Sequence, residues 1–162
     1  MAKYPTQQRL QELVVYDPDS GRFTWRIGRP GASAGAECGR ISKWGYREIC
    51  IDRALLRANK LAFIYMTGRS PAIVDHANRV RSDDRWCNLR EATHSQNAVN
   101  GSVRRNNTSG VPGVTWDADR SLWRAQARLG GVKKNLGRYA DKSEAELVVR
   151  AAMTEAHGEF AP

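Results

Sequence analysis

A polar stretch that divides the chain, NGSVRRNNTSG at residues 100–110, most constrains how this sequence can fold. It shows no apolar periodicity and is flanked by glycine, a composition typical of a linker. The chain has 162 residues, enough for one ordinary domain or two small ones. Apolar residues make up 41%, so each of two domains can bury only a modest core. We therefore predict domains at residues 1–100 and 111–162, joined by a linker at 101–110.

Antiparallel strands and one helix are predicted for the first part of the chain. The runs GRFTWRI (21–27) and GYREICIDR (45–53) alternate apolar and polar residues, which favours strands of a small antiparallel sheet. The run LLRANKLAFIYMT (55–67) has helical periodicity. Gly68 follows it as a natural C-terminal cap, so the helix is predicted to end there.

A sheet backed by one helix is predicted for residues 111–162. The three strand-like runs are VPGVTW, LWRAQAR and VKKNLGRY. A helical run, SEAELVVRAAMTEAHG, follows at 143–158, with Ser143 as the predicted N-cap and a glycine at its end. The chain as a whole is therefore predicted to have an α+β fold.

Both parts of the chain are basic. The net charge is +9, divided as +6 over residues 1–100 and +3 over residues 101–162. A distributed positive field suits a polyanion such as nucleic acid. A basic protein without such a ligand would have the same composition, so charge alone leaves both interpretations open.

Membrane insertion and a disulfide framework are not expected. No run approaches the roughly 18 apolar residues of a membrane span, and the first residues lack an apolar signal core. Cys38, Cys50 and Cys87 are odd in number and form no CxxC pair, which indicates free thiols in a reducing compartment. No protein partner is inferred, and the sequence leaves monomer and dimer undecided.

The densest cluster of usable chemistry contains Asp75, His76, Asn88 and Asn97. Asp75 and His76 end a short strand predicted for AIVDHA, and Asn97 lies nine positions along a helix predicted to begin near Asn88. A strand and a helix packed side by side would bring Asp75 and Asn97 within reach of one cation. Both offer hard oxygen ligands, which suit Mg²⁺ or Mn²⁺ completed by water and phosphate oxygens.

The imidazole of His76 could deprotonate a water molecule, since neutral imidazole is available near pH 7. The metal would stabilise the charge that builds on the phosphorane and on the departing 3′ oxygen. Asn88 could hold the imidazole through its amide or tie the loop to the helix. Asp and Asn are also frequent in turns, and Asn88 could be only a helix N-cap, so these residues alone also fit a structural role.

The spacing of these residues resembles that of HNH endonucleases of the phage and intron homing type. VDHANRVRSDDRWCNLREATHSQN contains an Asp-His pair, an Asn twelve positions after the His, and a second Asn nine positions later. The preceding FTWR, GYREICI and NKLAFIYMTGRSP also resemble the region that these enzymes place before the site, so the match covers about residues 15–100. The resemblance implies that His76 is the general base, that Asp75 and Asn97 hold the metal, and that Asn88 orients the base.

The same resemblance implies a ββα-metal core at about residues 72–100, with some departures. The family usually has His where this chain has Asn59, and often Gly-Asp where it has Arg79 and Val80. A non-glycine residue at Arg79 would cost about 1 kcal/mol if that turn needs a positive φ angle. Asp84 stands where Asn is common. These departures leave room for reduced activity.

Polar side chains alternate along the strands predicted for the second part of the chain. In LWRAQAR, the period of two places Arg124, Gln126 and Arg128 on one face. Arg suits guanine edges and Gln suits adenine edges, and Lys133 and Asn135 on the next strand extend the pattern. Any half-exposed sheet can show this alternation, so a structural interpretation stays open.

SGVPGVTWDADRSLWRAQARLGGVKKNLGRYADKSEAELVVRAAMTEAHGEFA, about residues 108–161, resembles the DNA-binding domain of plant ethylene-response factors. That domain lays a three-stranded sheet, backed by one helix, in the major groove. The resemblance implies double-stranded DNA as the partner. Carried over by position, it implies six contacts, at Thr115, Arg124, Gln126, Arg128, Lys133 and Asn135. The plant domains carry other residues at Thr115 and Asn135, so their target sequence is not transferred.

Three functions are weighed from these features. The first is a site-specific, homing-type DNA endonuclease with one divalent metal, which would nick one strand as a monomer and act in the cytoplasm, that of the host cell if it is phage-encoded. The second is a DNA-binding regulator with weak or absent cleavage, which Asn59 and Arg79 favour. The third, an RNA-binding module, fits less well because A-form RNA hides the major groove.

Overall fold

The computed structural model describes residues 4–100 and 107–161. The chain divides into two compact units, Met1–Thr93 and His94–Pro162. Both units contain helices, and all strand pairs are antiparallel, so the predicted α+β fold is confirmed. In these ranges no helix is long and apolar enough to cross a membrane.

The first unit begins with a helix and a β-hairpin. Helix α1 (Gln7–Leu13) starts after Thr6, whose side chain caps it by accepting a backbone N–H from the first turn. Strands β1 (Val14–Asp17) and β2 (Arg22–Trp25) pair antiparallel, and β2 confirms the strand predicted at 21–27. The buried side chains of this region join the main core: Leu10, Val14, Tyr16, Phe23 and Trp25.

A three-stranded sheet follows in the order β3–β4–β5. Its strands are β3 (Arg40–Ile41), β4 (Arg47–Ile51) and β5 (Ala54–Arg57). The turn between β4 and β5 contains only Asp52 and Arg53, with φ angles of 47° and 67°. Two consecutive left-handed residues give the type I′ turn, whose twist matches that of the paired strands.

Helix α2 (Ala58–Thr67) begins three residues later than predicted. Leu55 does not start the helix because it pairs with Cys50 in the sheet. A short apolar run fits a strand as well as a helix, and strand pairing decides between them here. The predicted end is confirmed: Gly68 has a φ angle of 71° and its backbone N–H donates to the Ile64 carbonyl.

Two short strands form the part of the first unit that carries the candidate site. Strand β6 (Ile73–His76) confirms the strand predicted for AIVDHA, and it pairs with β7 (Leu89–Ala92). The prediction of a helix from Asn88 onwards is wrong, because Leu89–Ala92 completes this ladder and a helix, α3 (His94–Val99), begins only afterwards. Tertiary pairing therefore overrides the local helical pattern.

The second unit contains α3, a three-stranded sheet in the order β10–β9–β8, and a long helix. The three strands confirm the predicted runs and are β8 (Val114–Asp117), β9 (Leu122–Leu129) and β10 (Val132–Tyr139). Helix α4 (Lys142–His157) packs on the sheet through Ala145 and Val149, which meet Val114 and Ala125 in a small core.

The ends of the second unit refine two predictions. The N-cap of α4 is Asp141 rather than Ser143, since the Asp141 carboxylate accepts the backbone N–H of Ser143. Residues 101–106 of the predicted linker lie outside the described residues. Ser109, within the same predicted linker, is buried and its hydroxyl lies 2.6 Å from the Val114 carbonyl oxygen. The chain is therefore part of the folded unit at that residue.

Candidate active site

The end of strand β6 presents Asp75 and His76 next to each other in the first unit. Both side chains are buried, at 6% and 5% relative exposure. In the ladder Asp75 stands opposite Arg90 and His76 opposite Leu89. A backbone fixed by antiparallel pairing holds both groups in place, which is the arrangement that a site needs for positioned chemistry.

A buried carboxylate holds the imidazole of His76. Its Nε2 lies 3.1 Å from Oδ1 of Asp84, which is only 2% exposed. A neutral imidazole that donates through Nε2 carries its lone pair on Nδ1, so Asp84 selects the tautomer and fixes the ring. The sequence interpretation missed this contact, although Asp84 stood out as a departure at a position where Asn is common.

The second carboxylate oxygen of Asp84, Oδ2, is buried without a hydrogen-bond partner among residues 4–100 and 107–161. An unpaired buried carboxylate oxygen is costly, and such groups mark sites built for a function. The backbone of Asp84 is held as well, because Tyr16 donates its hydroxyl to the Asp84 carbonyl at 2.7 Å.

Asn88 ties together the loop that carries Asp84. Its Oδ1 accepts the Asn78 backbone N–H at 2.9 Å, and its Nδ2 donates to the Asp83 carbonyl at 2.8 Å. The amide therefore fixes both ends of the loop between β6 and β7. Both bonds stay within the loop, so they tie the loop to itself and neither hold the imidazole nor link the loop to a helix. Asn88 is not an α-helix N-cap, because the strand β7 follows it.

The same loop contains a second carboxylate with strong partners. Asp83 accepts two hydrogen bonds from the Arg85 guanidinium, at 2.8 and 2.6 Å, and one from the Asn78 amide. The Arg85 hydrogen bonds lower the pKa of Asp83 to about 2, and the Asn78 contact adds to this shift. Asp83 is thus a structural anion of the loop.

The turn of the β1–β2 hairpin packs closely against the backbone of this loop. Gly21 has a φ angle of 73°, and a Cβ atom there would lie 2.5 Å from the Arg85 nitrogen and the Asp84 carbonyl carbon. The backbone N–H of Trp86 donates to the Pro18 carbonyl at 2.9 Å. Only glycine fits this close approach of two backbones. We call this contact the hairpin support.

Asp75, the predicted cation ligand of the first unit, forms an ion pair with Arg90. Its Oδ2 accepts from Nε and Nη2 of Arg90, at 3.0 and 2.9 Å. In the ranges that the structure describes, no three His, Cys, Asp or Glu residues gather as metal ligands. The other predicted ligand, Asn97, is exposed on α3 in the second unit. The Asp75 carboxylate is a hard oxygen donor, the kind of ligand that Mg²⁺ and Mn²⁺ prefer.

Two of the departures from the family pattern, Asn59 and Arg79, have specific structural roles. Asn59 is buried at the start of α2, where its Nδ2 donates to the Val74 carbonyl at 3.0 Å and its Oδ1 accepts the Lys60 backbone N–H. It therefore links α2 to strand β6, directly before Asp75. Arg79 has a φ angle of 64°, so the turn after His76 does need the left-handed conformation.

The sheet of the second unit brings the six predicted DNA contacts onto one face. In the register, Thr115 stands opposite Arg124, and Gln126 opposite Asn135. Arg128 and Lys133 form the third such pair. Directly paired residues project to the same side of a sheet, and α4 covers the other side. We call this set of side chains the polar sheet face.

The sequence interpretation missed Arg138 on the polar sheet face. A bulge between Asn135 and Gly137 shifts the alternation of β10 by one residue, so Arg138 stands opposite Arg124. Arg138 binds Asp117 through its Nε at 3.0 Å, and this hydrogen bond lowers the pKa of Asp117. Nε of Arg124 is buried without a partner within the described residues.

Comparisons with known proteins place the family match on the second half of the first unit and on helix α3, the first six residues of the second unit. A model described as HNH endonuclease matches residues 57–99, the segment that contains all four candidate site residues. Protein 3.8 of Escherichia phage T7 is 32% identical over 88 residues, which cover 54% of this chain and 72% of that protein. No solved structure matches the chain significantly.

Proposed function

Since the chain belongs to the HNH endonuclease family, we propose that it hydrolyses a phosphodiester of double-stranded DNA with His76 as the general base. The single observation that carries this proposal is the buried His76–Asp84 pair, with 3.1 Å between Nε2 and Oδ1. A histidine held by a buried carboxylate at the end of a strand is pre-organised for proton transfer, and Asp84 acts on the reaction only by positioning that ring.

The proposed reaction is a direct hydrolysis. Nδ1 of His76 takes a proton from water as the water oxygen forms a bond to phosphorus. The bond between phosphorus and the 3′ oxygen breaks, and the 3′ oxygen leaves as an alkoxide that takes a proton from solvent. The products are a 5′ phosphate and a 3′ hydroxyl. His76 then returns its proton to solvent. Asn88 contributes by holding the loop that carries Asp84.

A divalent cation fits this chemistry, and Asp75 is the ligand we propose within the first unit. Asn97, which the family spacing implies as a second ligand, lies on α3 in the second unit. The cation, when bound, would supply positive charge for the phosphorane oxygens and for the leaving 3′ oxygen. Asp75→Asn should weaken Mn²⁺ binding measured by calorimetry without DNA. Unchanged Mn²⁺ affinity in a folded Asp75→Asn protein would contradict the ligand assignment.

We further propose that the polar sheet face reads the DNA sequence near the cleavage site, so that cutting is site-specific and homing-like. Two modules on one duplex raise each other's effective concentration, provided that the segment between them can span their sites. Because each chain has one proposed cleavage site, a monomer would cut one strand and leave a nick.

A plasmid-nicking assay with Mg²⁺ tests the proposed function. His76→Ala should lower the rate of nicking by about 10²-fold or more, the usual contribution of a general base. His157→Ala, which removes an imidazole from the end of α4, serves as the matched control and should leave the rate unchanged. If wild type and His76→Ala nick equally slowly while both are folded, the protein is not a nuclease of this kind.

A DNA-binding protein without cleavage is the second candidate. The observation in its favour is that Asp75 already has a cationic partner, Arg90, at 2.9 Å. A carboxylate neutralised by Arg is a weaker cation ligand than a free one. Under this alternative, the wild-type protein would bind a preferred duplex sequence and would bind Mn²⁺ no better than Asp75→Asn does.

A further inference from the structure

An exposed tryptophan stands at the tip of a rigid turn in the first unit. Trp44 is 62% exposed, more than the other exposed tryptophan of the described residues, Trp116, at 48%. It lies between β3 and β4, in a turn closed by the bond from the Ser42 N–H to the Tyr46 carbonyl at 2.8 Å. Gly45 completes the turn with a φ angle of 83°. Trp44 therefore presents its indole to solvent from a turn whose backbone is closed.

This turn is attached to the candidate site by an arginine. Arg81, which belongs to the loop after His76, donates through Nη1 to the Trp44 carbonyl at 3.0 Å. The Arg81 guanidinium also lies 5.1 Å from the centre of the Tyr46 ring. The Tyr46 ring in turn lies 6.0 Å from the imidazole of His76. The turn, Arg81 and the proposed general base therefore form one continuous patch.

The patch is cationic and its cations lack acidic partners. Arg57 stacks on Tyr46, with 4.1 Å between its Cζ and the ring centre, and Lys43 lies over Trp44 at 5.1 Å. None of Lys43, Arg57 and Arg81 forms an ion pair with a carboxylate in the described part of the chain. In contrast, Arg9 of helix α1 binds Asp52, in the turn of the β4–β5 hairpin, at 2.9 Å. Unpaired guanidinium groups beside a general base are suited to phosphate oxygens.

We propose that Trp44, Arg57 and Arg81 form a DNA grip beside His76, in which the two guanidinium groups bind phosphates that flank the cleaved one and the indole contacts a nucleobase. This inference rests on the proposed function and adds the residues that hold the substrate strand in place. The charge favours a nucleic acid strand over an apolar protein surface, and an aromatic side chain next to Arg is the usual combination for gripping a strand without reading its sequence.

Binding of a short DNA duplex with a single-stranded overhang, in EDTA and followed by fluorescence anisotropy, tests the grip without any cleavage, because an unpaired base offers its face to the indole. Trp44→Ala should weaken binding about tenfold, the usual loss for one aromatic contact with a base, whereas Trp44→Phe should stay within about threefold. Arg57→Ala and Arg81→Gln should each reduce the slope of log affinity against log salt by about 0.9, the value for one phosphate contact. Arg81→Gln removes the charge but leaves the backbone bond from Ser42 to Tyr46 that closes the turn.

Arg9→Ala is the matched control, since it removes the same charge where the guanidinium is already paired, and its salt slope should equal that of wild type. Arg57→Lys keeps the charge and should restore the wild-type slope. Folding of each variant is checked by its melting curve. If Trp44→Ala binds like wild type, or if neither arginine variant changes the slope, the grip does not exist.

Two further outcomes distinguish the DNA grip from the proposed cleavage activity and from a dimer contact. If wild type fails to nick DNA but Trp44 and both arginines affect binding as stated, the nuclease proposal fails and the grip stands. If Trp44→Ala instead abolishes a dimer seen by sedimentation and leaves DNA binding unchanged, the occupant of the patch is a second copy of this chain, and the proposal is overturned.

Discussion

Replacing Arg79 by glycine should stabilise the protein, because the backbone there is left-handed with a φ angle of 64°. The left-handed conformation costs a residue with a Cβ about 1–2 kcal/mol, and glycine adopts it without that cost. Glycine also gives the unfolded chain more freedom, which offsets roughly 0.4–1 kcal/mol. The net gain is about 0.5–1 kcal/mol, which corresponds to a rise in Tm of roughly 2–8 °C for a unit of this size.

The assay is thermal and urea unfolding of Arg79→Gly beside Arg79→Ala. The alanine variant removes the same guanidinium and its contacts but keeps the Cβ, so the difference between the two variants isolates the backbone effect. Arg79→Gly should therefore be more stable than Arg79→Ala. Equal stability of the two variants would refute the argument that the Cβ is strained at this position.

Three other predictions concern the link between α2 and β6, the site loop and the polar sheet face. Asn59→Ala should lower the free energy of unfolding by about 1–3 kcal/mol, because the Val74 carbonyl loses its buried donor; a change near zero in urea unfolding would argue against this link. Asp83→Asn should destabilise the protein by about 1 kcal/mol at pH 7, since a lowered pKa in the folded state stabilises it above the unfolded pKa near 4. That difference should fade in melting curves as the pH falls from 4 towards 2, and a difference that persists at pH 2 would exclude the ion pair with Arg85 as its cause. Lys133→Ala should reduce the salt slope of DNA binding by about 1 and leave sequence preference unchanged, whereas a changed preference in a randomised-duplex selection would place Lys133 on a base.

Local alternation predicted most of the strands, but it did not distinguish a strand from a helix in short runs. The run from Leu89 to Ala92 carries apolar residues at both ends, which fits a helical turn and a ladder rung equally well. Its structure is decided by strand β6, which lies 13 residues or more earlier in the chain. The same limit applies to Leu55, whose partner Cys50 decides the strand. Pairing between distant residues is invisible in a local pattern.

The sequence predicted which residues form the candidate site, but it did not predict which contacts those residues make. Asp75 and His76 follow from the spacing of the family pattern, but the bond between His76 and Asp84 depends on the path of the loop between them. That path is set by the Asn88 amide and by a hairpin from another part of the chain. Arg138 was missed for a different reason, since a one-residue bulge reverses the faces of β10 and leaves no mark in the composition.

The hairpin support determines which part of the chain would have to be moved to transfer the candidate site to another protein. The segment that matches the family begins at residue 57, yet Pro18 and Gly21 hold the backbone of the site loop. Moving only the matching segment into another protein would omit the β1–β2 hairpin, whose backbone at Gly21 lies against the backbone of Asp84 and Arg85. One residue inserted at Gly21 should disable cleavage without touching any group that reacts. The unit that can be moved between proteins is therefore larger than the signature by which it is recognised.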